Sequence, residues 1–190
     1  VIIATSLIED FLAECIKEIL PFSSNTKINK LFKYPGILSS FSSKIEMTYC
    51  FGLFDHNIST SLHILRDMRN ECAHSVNSFD LSSNTQKLIE INSVGEGSAS
   101  GIKQFAIYMQ AQFKIKKIEE FLNNDNTSPE EQIEIIESVI KDGSLIDAVR
   151  KPALKLEFIT GLIQIQAIME VQKNDFMERR RKSYLDQETS

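Results

Sequence analysis

"LRDMRNECAHS", residues Leu65–Ser75, is the stretch on which the reading of this chain turns. Leu62, Leu65, Met68, Arg69 and Cys72 recur at steps of three and four, which predicts a helix from about Ser59 towards His74. The same segment holds two arginines, an asparagine and a histidine. At about 100° per residue, Arg66, Asn70 and His74 share one polar stripe. Arg69 flanks that stripe, roughly 140° around the helix from His74. Two roles fit such a group. It either solvates and caps a helix end, where a cation meets the negative terminus, or binds an anion and moves a proton.

Working outward, helical spacing recurs almost everywhere and strand alternation nowhere. Ile3, Leu7, Ile8, Phe11, Leu12, Cys15, Ile16, Ile19 and Leu20 predict an amphipathic first helix stopped by Pro21. Residues 21–39 read as a loop with a turn near Leu31–Phe32. A second helix is expected over about Phe41–Gly52, and a short one over Ser82–Asn92 with Ser82 or Ser83 as cap. "NSVGEGSASG", Asn92–Gly101, is Gly-rich but lacks the phosphate-loop pattern and a preceding strand, so it reads as a connector. Ile102–Leu122 reads as a long helix. Ser128, Pro129, Glu130 and Glu131 then form a helix start, with Gly143 as its end. A final helix is expected over Lys151 to about Arg181. The fold class is therefore all-α.

Composition narrows the function classes. The chain has 190 residues with 7 Gly and 4 Pro, which suits long helices. Its formal charge of −5 disfavours broad non-specific duplex binding. "ERRRKS", Glu178–Ser183, is offset by neighbouring acids and reads as a solvated helix end. Three scattered cysteines without a ligand spacing indicate a reducing compartment, with neither a disulfide framework nor a metal site. His56 and His63 read as surface or packing residues. Glu9 and Asp10 interrupt the apolar start, so no signal peptide is expected, and "FITGLIQIQAIM" is too short to span a bilayer. A cytoplasmic protein without cofactor is the expectation. Val1 is not a Met, so a preceding segment is compatible with this start.

A family resemblance adds to this reading. "FSSKIEMTYCFGLFDHNISTSLHILRDMRNECAHSVNSFDL", Phe41–Leu81, resembles the core of the mannitol operon repressor family. The shared order is "FS-x-[RK]-I", a helix ending in "x-G-L", a short break, then "I-R-x-[IM]-R-N-x-x-A-H-S", with Leu65 here in place of its first Ile, and a downstream "F-D". The Arg-Asn…His pattern resembles the signature of the wider HEPN superfamily of dimeric helical bundles, many of them metal-independent ribonucleases. The resemblance implies an HEPN-like bundle over residues 1–122 and a homodimer through the motif helix; residues 123–190, outside the resemblance, are expected to form a helical C-terminal extension packed on the same bundle. It assigns Arg69, Asn70 and His74 as catalytic residues and Glu9 or Asp10 as the polar support facing the motif; Arg66, one turn before Asn70 on the same stripe, is the expected RNA contact. Val76 stands where one HEPN subgroup has Tyr. RNA carries its own nucleophile, the 2′-hydroxyl, so cleavage needs a base, an acid and a fixed positive charge, but no metal. The implied function is an endoribonuclease, a toxin or antiviral defence effector. The alternative is a non-catalytic transcriptional regulator acting through a protein partner.

Overall fold

The computed structural model describes residues 1–20, 24–75, 79–122, 128–131, 133–134 and 144–188. Among them the chain is all-helical, with no strand. The helices are α1 (Ile2–Ile19), α2 (Asn25–Phe32), α3 (Phe41–Cys50), α4 (His56–His74), α5 (Thr85–Asn92), α6 (Ser98–Leu122) and α7 (Ser144–Glu188). A single 3-10 turn, Leu81–Asn84, precedes α5. Pro21, Val76 and Gly143 lie outside the described residues.

One core unites α1, α3, α4, α5 and α7. Ile8, Leu12 and Cys15 of α1 meet Ile45 of α3 and Leu62, Leu65 and Met68 of α4. Leu88 and Ile91 of α5 and Phe158, Ile165 and Met169 of α7 close the same cluster. Leu62, Leu65 and Met68 have no exposed surface, and each burial contributes roughly 2 kcal/mol. The "LRDM" half of the opening stretch thus fixes α4 in the middle of the bundle, whereas its "RNECAH" half runs out to the surface.

Local chemistry sets the ends of these elements. Asp55 caps α4 by accepting from the Ile58 amide at 2.9 Å, so the helix starts three residues before the expected Ser59. Gln172 reinforces that cap from α7, donating to the Asp55 carboxylate at 2.7 Å and accepting from its amide at 3.0 Å. Helix α3 ends as Gly52 takes a φ of 66° and the Leu53 amide bonds the Thr48 carbonyl at 3.0 Å. The short helix Ser82–Asn92 divides instead into the 3-10 turn, capped by Asp80 rather than by Ser82 or Ser83, and α5. At Ser128 the expected cap forms with Glu131: the Glu131 amide donates to Oγ at 3.3 Å, and the Ser128 amide donates to the Glu131 carboxylate at 3.0 Å.

Two elements depart from the sequence reading. Helix α2 occupies part of the stretch read as a loop. Its apolar positions, Ile28, Leu31 and Phe32, give too short a run among Asn and Lys to register as a period, and Lys17 covers the Phe32 ring at 5.4 Å. Helix α7 is 45 residues long and extends beyond the expected range at both ends, taking Pro152 into its interior. Its C-terminal half docks on α1. Lys173 pairs with Glu18 at 3.0 Å, and Arg180 of the "ERRRKS" run donates to the Ile19 carbonyl at 2.6 Å. That last bond satisfies an orphan carbonyl with a cation at the negative end of α1.

Candidate functional site at the end of helix α4

The polar cluster is assembled by three helices. Helix α4 supplies Arg66, Arg69, Asn70 and His74; α1 supplies Glu9; α3 supplies Ser42 and Lys44. The Glu9 carboxylate sits between two cations, receiving Lys44 Nζ on Oε1 at 2.6 Å and Arg69 Nη1 on Oε2 at 3.1 Å. The Lys44 side chain is 9% exposed and that of Glu9 15%, so this bridge is largely shielded from water. An ion pair so sheltered is screened far less than a surface pair. Arg69, one-third exposed, uses one of its five donors on Glu9 and keeps others for an external anion.

Arg66 is tethered differently. Its Nη1 donates to Ser42 Oγ at 2.9 Å, and its Nη2 and Nε reach Asp67 at 2.7 and 3.1 Å. Two cations and one carboxylate meet at Glu9, while Arg66 and Asp67 cancel each other, so the cluster keeps net positive charge. Asn70 and His74 lie on the exposed end of the stripe. Neither side chain has a hydrogen-bond partner among the described residues. His74 is the last helical residue, and the Ser75 amide closes the helix on the Glu71 carbonyl at 2.9 Å. Asp10 is exposed and makes no hydrogen bond or ion pair to this network among the described residues; Glu9 is the acid that meets Arg69.

Sequence reasoning singled out neither Ser42 nor Lys44 as a site residue. The signal was present in "FSSKI", Phe41–Ile45: its serine reaches Arg66 and its lysine reaches Glu9. The two halves of the quoted motif therefore touch in space. The remaining histidines lie elsewhere. His63 contacts Glu46 at 3.1 Å, and His56 stands edge-on to Tyr49 with ring centroids 6.3 Å apart. No group of three or more His, Cys, Asp or Glu among the described residues has the geometry to hold a metal ion. Cys15 is buried, and that burial pushes its thiol up to about 11, which removes it as a nucleophile near neutral pH. No helix among the described residues is long and apolar enough to cross a membrane.

The arrangement combines a fixed guanidinium, an amide and a solvent-accessible imidazole at one helix end. Its chemistry suits a phosphate diester: Arg69 can neutralise a non-bridging oxygen, and His74 can carry a proton. No family model, curated protein or solved structure matches this chain.

Proposed function

We propose that this chain is a metal-independent endoribonuclease of the HEPN type, working as a homodimer through α4 in a toxin or antiviral defence role. The observation that carries the reading is the division of labour along α4. Arg69 is anchored by Glu9 yet retains donors, whereas Asn70 and His74 are solvent-exposed and unengaged among the described residues. In the proposed reaction, neutral His74 takes the proton of the 2′-hydroxyl as its oxygen attacks phosphorus. The P–O5′ bond then breaks, and the His74 of the second copy protonates the leaving oxygen. The products are a 2′,3′-cyclic phosphate and a 5′-hydroxyl. Arg69 neutralises the developing phosphorane charge, Asn70 orients the phosphate or the imidazole, and Arg66 contacts the RNA backbone.

A second reading rests on the same contacts. Ser42–Arg66 and Lys44–Glu9–Arg69 staple α1, α3 and α4 together, a sufficient reason to keep these residues in a transcriptional regulator that acts through protein contacts. Exposed Phe105, Tyr108 and Met109 on α6 give that reading a surface for a partner.

The deciding experiment is cleavage of a mixed RNA pool in excess EDTA by the purified protein and by His74→Ala. The expected result is cleavage that survives chelation, leaves cyclic-phosphate ends and falls by about 100-fold or more in the variant. A folded protein that cleaves nothing, or a variant as active as the parent, transfers the case to the regulator.

A further inference from the structure

Helices α1 and α7 run side by side and leave large apolar side chains in water. Ile3 and Leu7 on α1, and Ile159 and Ile163 on α7, are between 52% and 79% exposed. Each pair is four residues apart, so its members stand one turn above the other on one face. A groove of about 870 Å³ lies there, lined by Ile3 and Leu7 of α1 and by Phe158, Ile159 and Leu162 of α7. An apolar face of this kind marks a docking surface. The charges at its two ends say what docks.

The two helices are parallel. The first turns of α1 share the groove with residues 151–162 of α7, and Glu18, near the end of α1, meets Lys173 at 3.0 Å. On that register Lys155 lies about ten helical positions before Asp10, and Lys151 about eighteen before Glu14. Ile3 and Leu7 are four apart. All three pairs share one midpoint, level with Thr5. Asp10 and Glu14 continue the stripe of Ile3 and Leu7, and all four charged residues are exposed. Asp10 and Lys155 have no hydrogen-bond or ion-pair partner among the described residues. Glu14 also receives Lys17 at 2.7 Å. Asp80, at the lysine end, is held by the Ser82 amide at 3.0 Å and by the Ser82 hydroxyl. Counting those two, the lysine end stays net positive and the acid end net negative.

We infer that this face binds a second copy of the chain, turned end for end about a two-fold axis at that midpoint. The turn sets Ile3 level with Leu7 of the second copy, Lys155 with its Asp10, and Lys151 with its Glu14. A two-fold contact places one patch against itself, so the patch must be its own complement. Exchanging the ends meets that condition, because it pairs opposite charges and covers the apolar centre together. A partner of uniform charge would suit one end and be repelled at the other. The strip from Lys151 to Glu14 is about 27 Å long and about 20 Å wide, roughly 500 Å² per copy. That is the size of a weak, reversible interface with a micromolar dissociation constant. No residue of α4 takes part, so the inference does not rest on the nuclease reading.

Sedimentation velocity of the full chain over a micromolar concentration series at low salt tests this. The parent is expected to double in mass, from monomer to dimer or from an α4-joined dimer to a tetramer. Leu7→Glu should weaken that step by about tenfold or more, since it sets carboxylates in the apolar centre. Lys155→Glu and Asp10→Lys should each weaken it by about fivefold, and the double variant should return to within about twofold of the parent. Both charged positions are exposed, so this pair decides the matter even where Leu7→Glu does not fold. A mass that neither concentration nor Leu7→Glu changes overturns the inference. So does a double variant that associates no better than either single one.

Discussion

Glu9 and Glu157 are both shielded carboxylates in one helical bundle, and their surroundings are opposite. Glu9 receives a lysine and an arginine within 3.1 Å, from two different helices. Glu157 is more deeply buried and receives nothing among the described residues. The first is a completed electrostatic joint: removing the acid would leave the buried Lys44 ammonium without its partner. The second is disfavoured in its ionised form by burial, which the charge of Lys103 offsets only in part. A buried acid thus says little by itself, because the partner decides whether it fastens the structure or burdens it.

Four substitutions break or sharpen that contrast. The largest effect belongs to Glu9→Ala, which should cost about 3–5 kcal/mol in urea unfolding by leaving Lys44 and Arg69 unpaired. A loss below about 1 kcal/mol would place Glu9 with Glu157 and dissolve the distinction. Next comes Gly161→Ala. A Cβ there would lie 1.8 Å from Oδ1 of Asn92, itself fully buried with neither side-chain polar atom bonded. The expected cost is about 3 kcal/mol, largely recovered in the double variant with Asn92→Ala because the two sites share one space.

Glu157→Gln should act in the opposite direction, stabilising the protein by about 1–2 kcal/mol near neutral pH. The sign follows from linkage. The folded-state value of Glu157 is raised above its ordinary 4.5, so the unfolded chain loses this proton first. Its effect on stability is absent in acid below 4.5. Stability then falls as pH rises through the folded value and levels off above it. Thermal melts should therefore show a gain for Glu157→Gln at neutral pH that vanishes towards pH 4. A gain that persists in acid would mean that packing, not charge, is responsible. The smallest effect is expected for Arg66→Ala. Its partly exposed contacts to Asp67 and Ser42 should contribute under about 1 kcal/mol to a chemical melt.

The same contrast explains what was legible in the sequence. Leu62, Leu65 and Met68 announce their own burial, because a helix repeats every three or four residues and the core selects that repeat. Arg69, Asn70 and His74 are recognisable as a group because they lie within one turn or two of each other. The joint they enter is harder to see: Glu9, Lys44 and Arg69 are dispersed over three helices, and no local pattern connects them. Glu157 gives no local signal either, since "LKLEFITG" reads as an ordinary amphipathic segment until α5 and α6 cover it. The start of α4 was missed for a similar reason, since the Asp55 cap is supported by Gln172, 117 residues away. Local periodicity gives helices; the pairing of charges belongs to the tertiary arrangement.

Helix α7 has a consequence for how this chain is made. Phe158, Ile165 and Met169 complete a core whose other walls are Leu12, Leu62 and Leu88, all synthesised earlier. A ribosome adding roughly 5–20 residues per second exposes those walls for several seconds before their partner arrives. During that interval the nascent chain must either hold the apolar faces of α1, α4 and α5 in a looser cluster or pass them to a chaperone. Folding is therefore tied to translation of the last core helix, and a pause upstream of Phe158 prolongs the period in which the unfinished chain can associate with others.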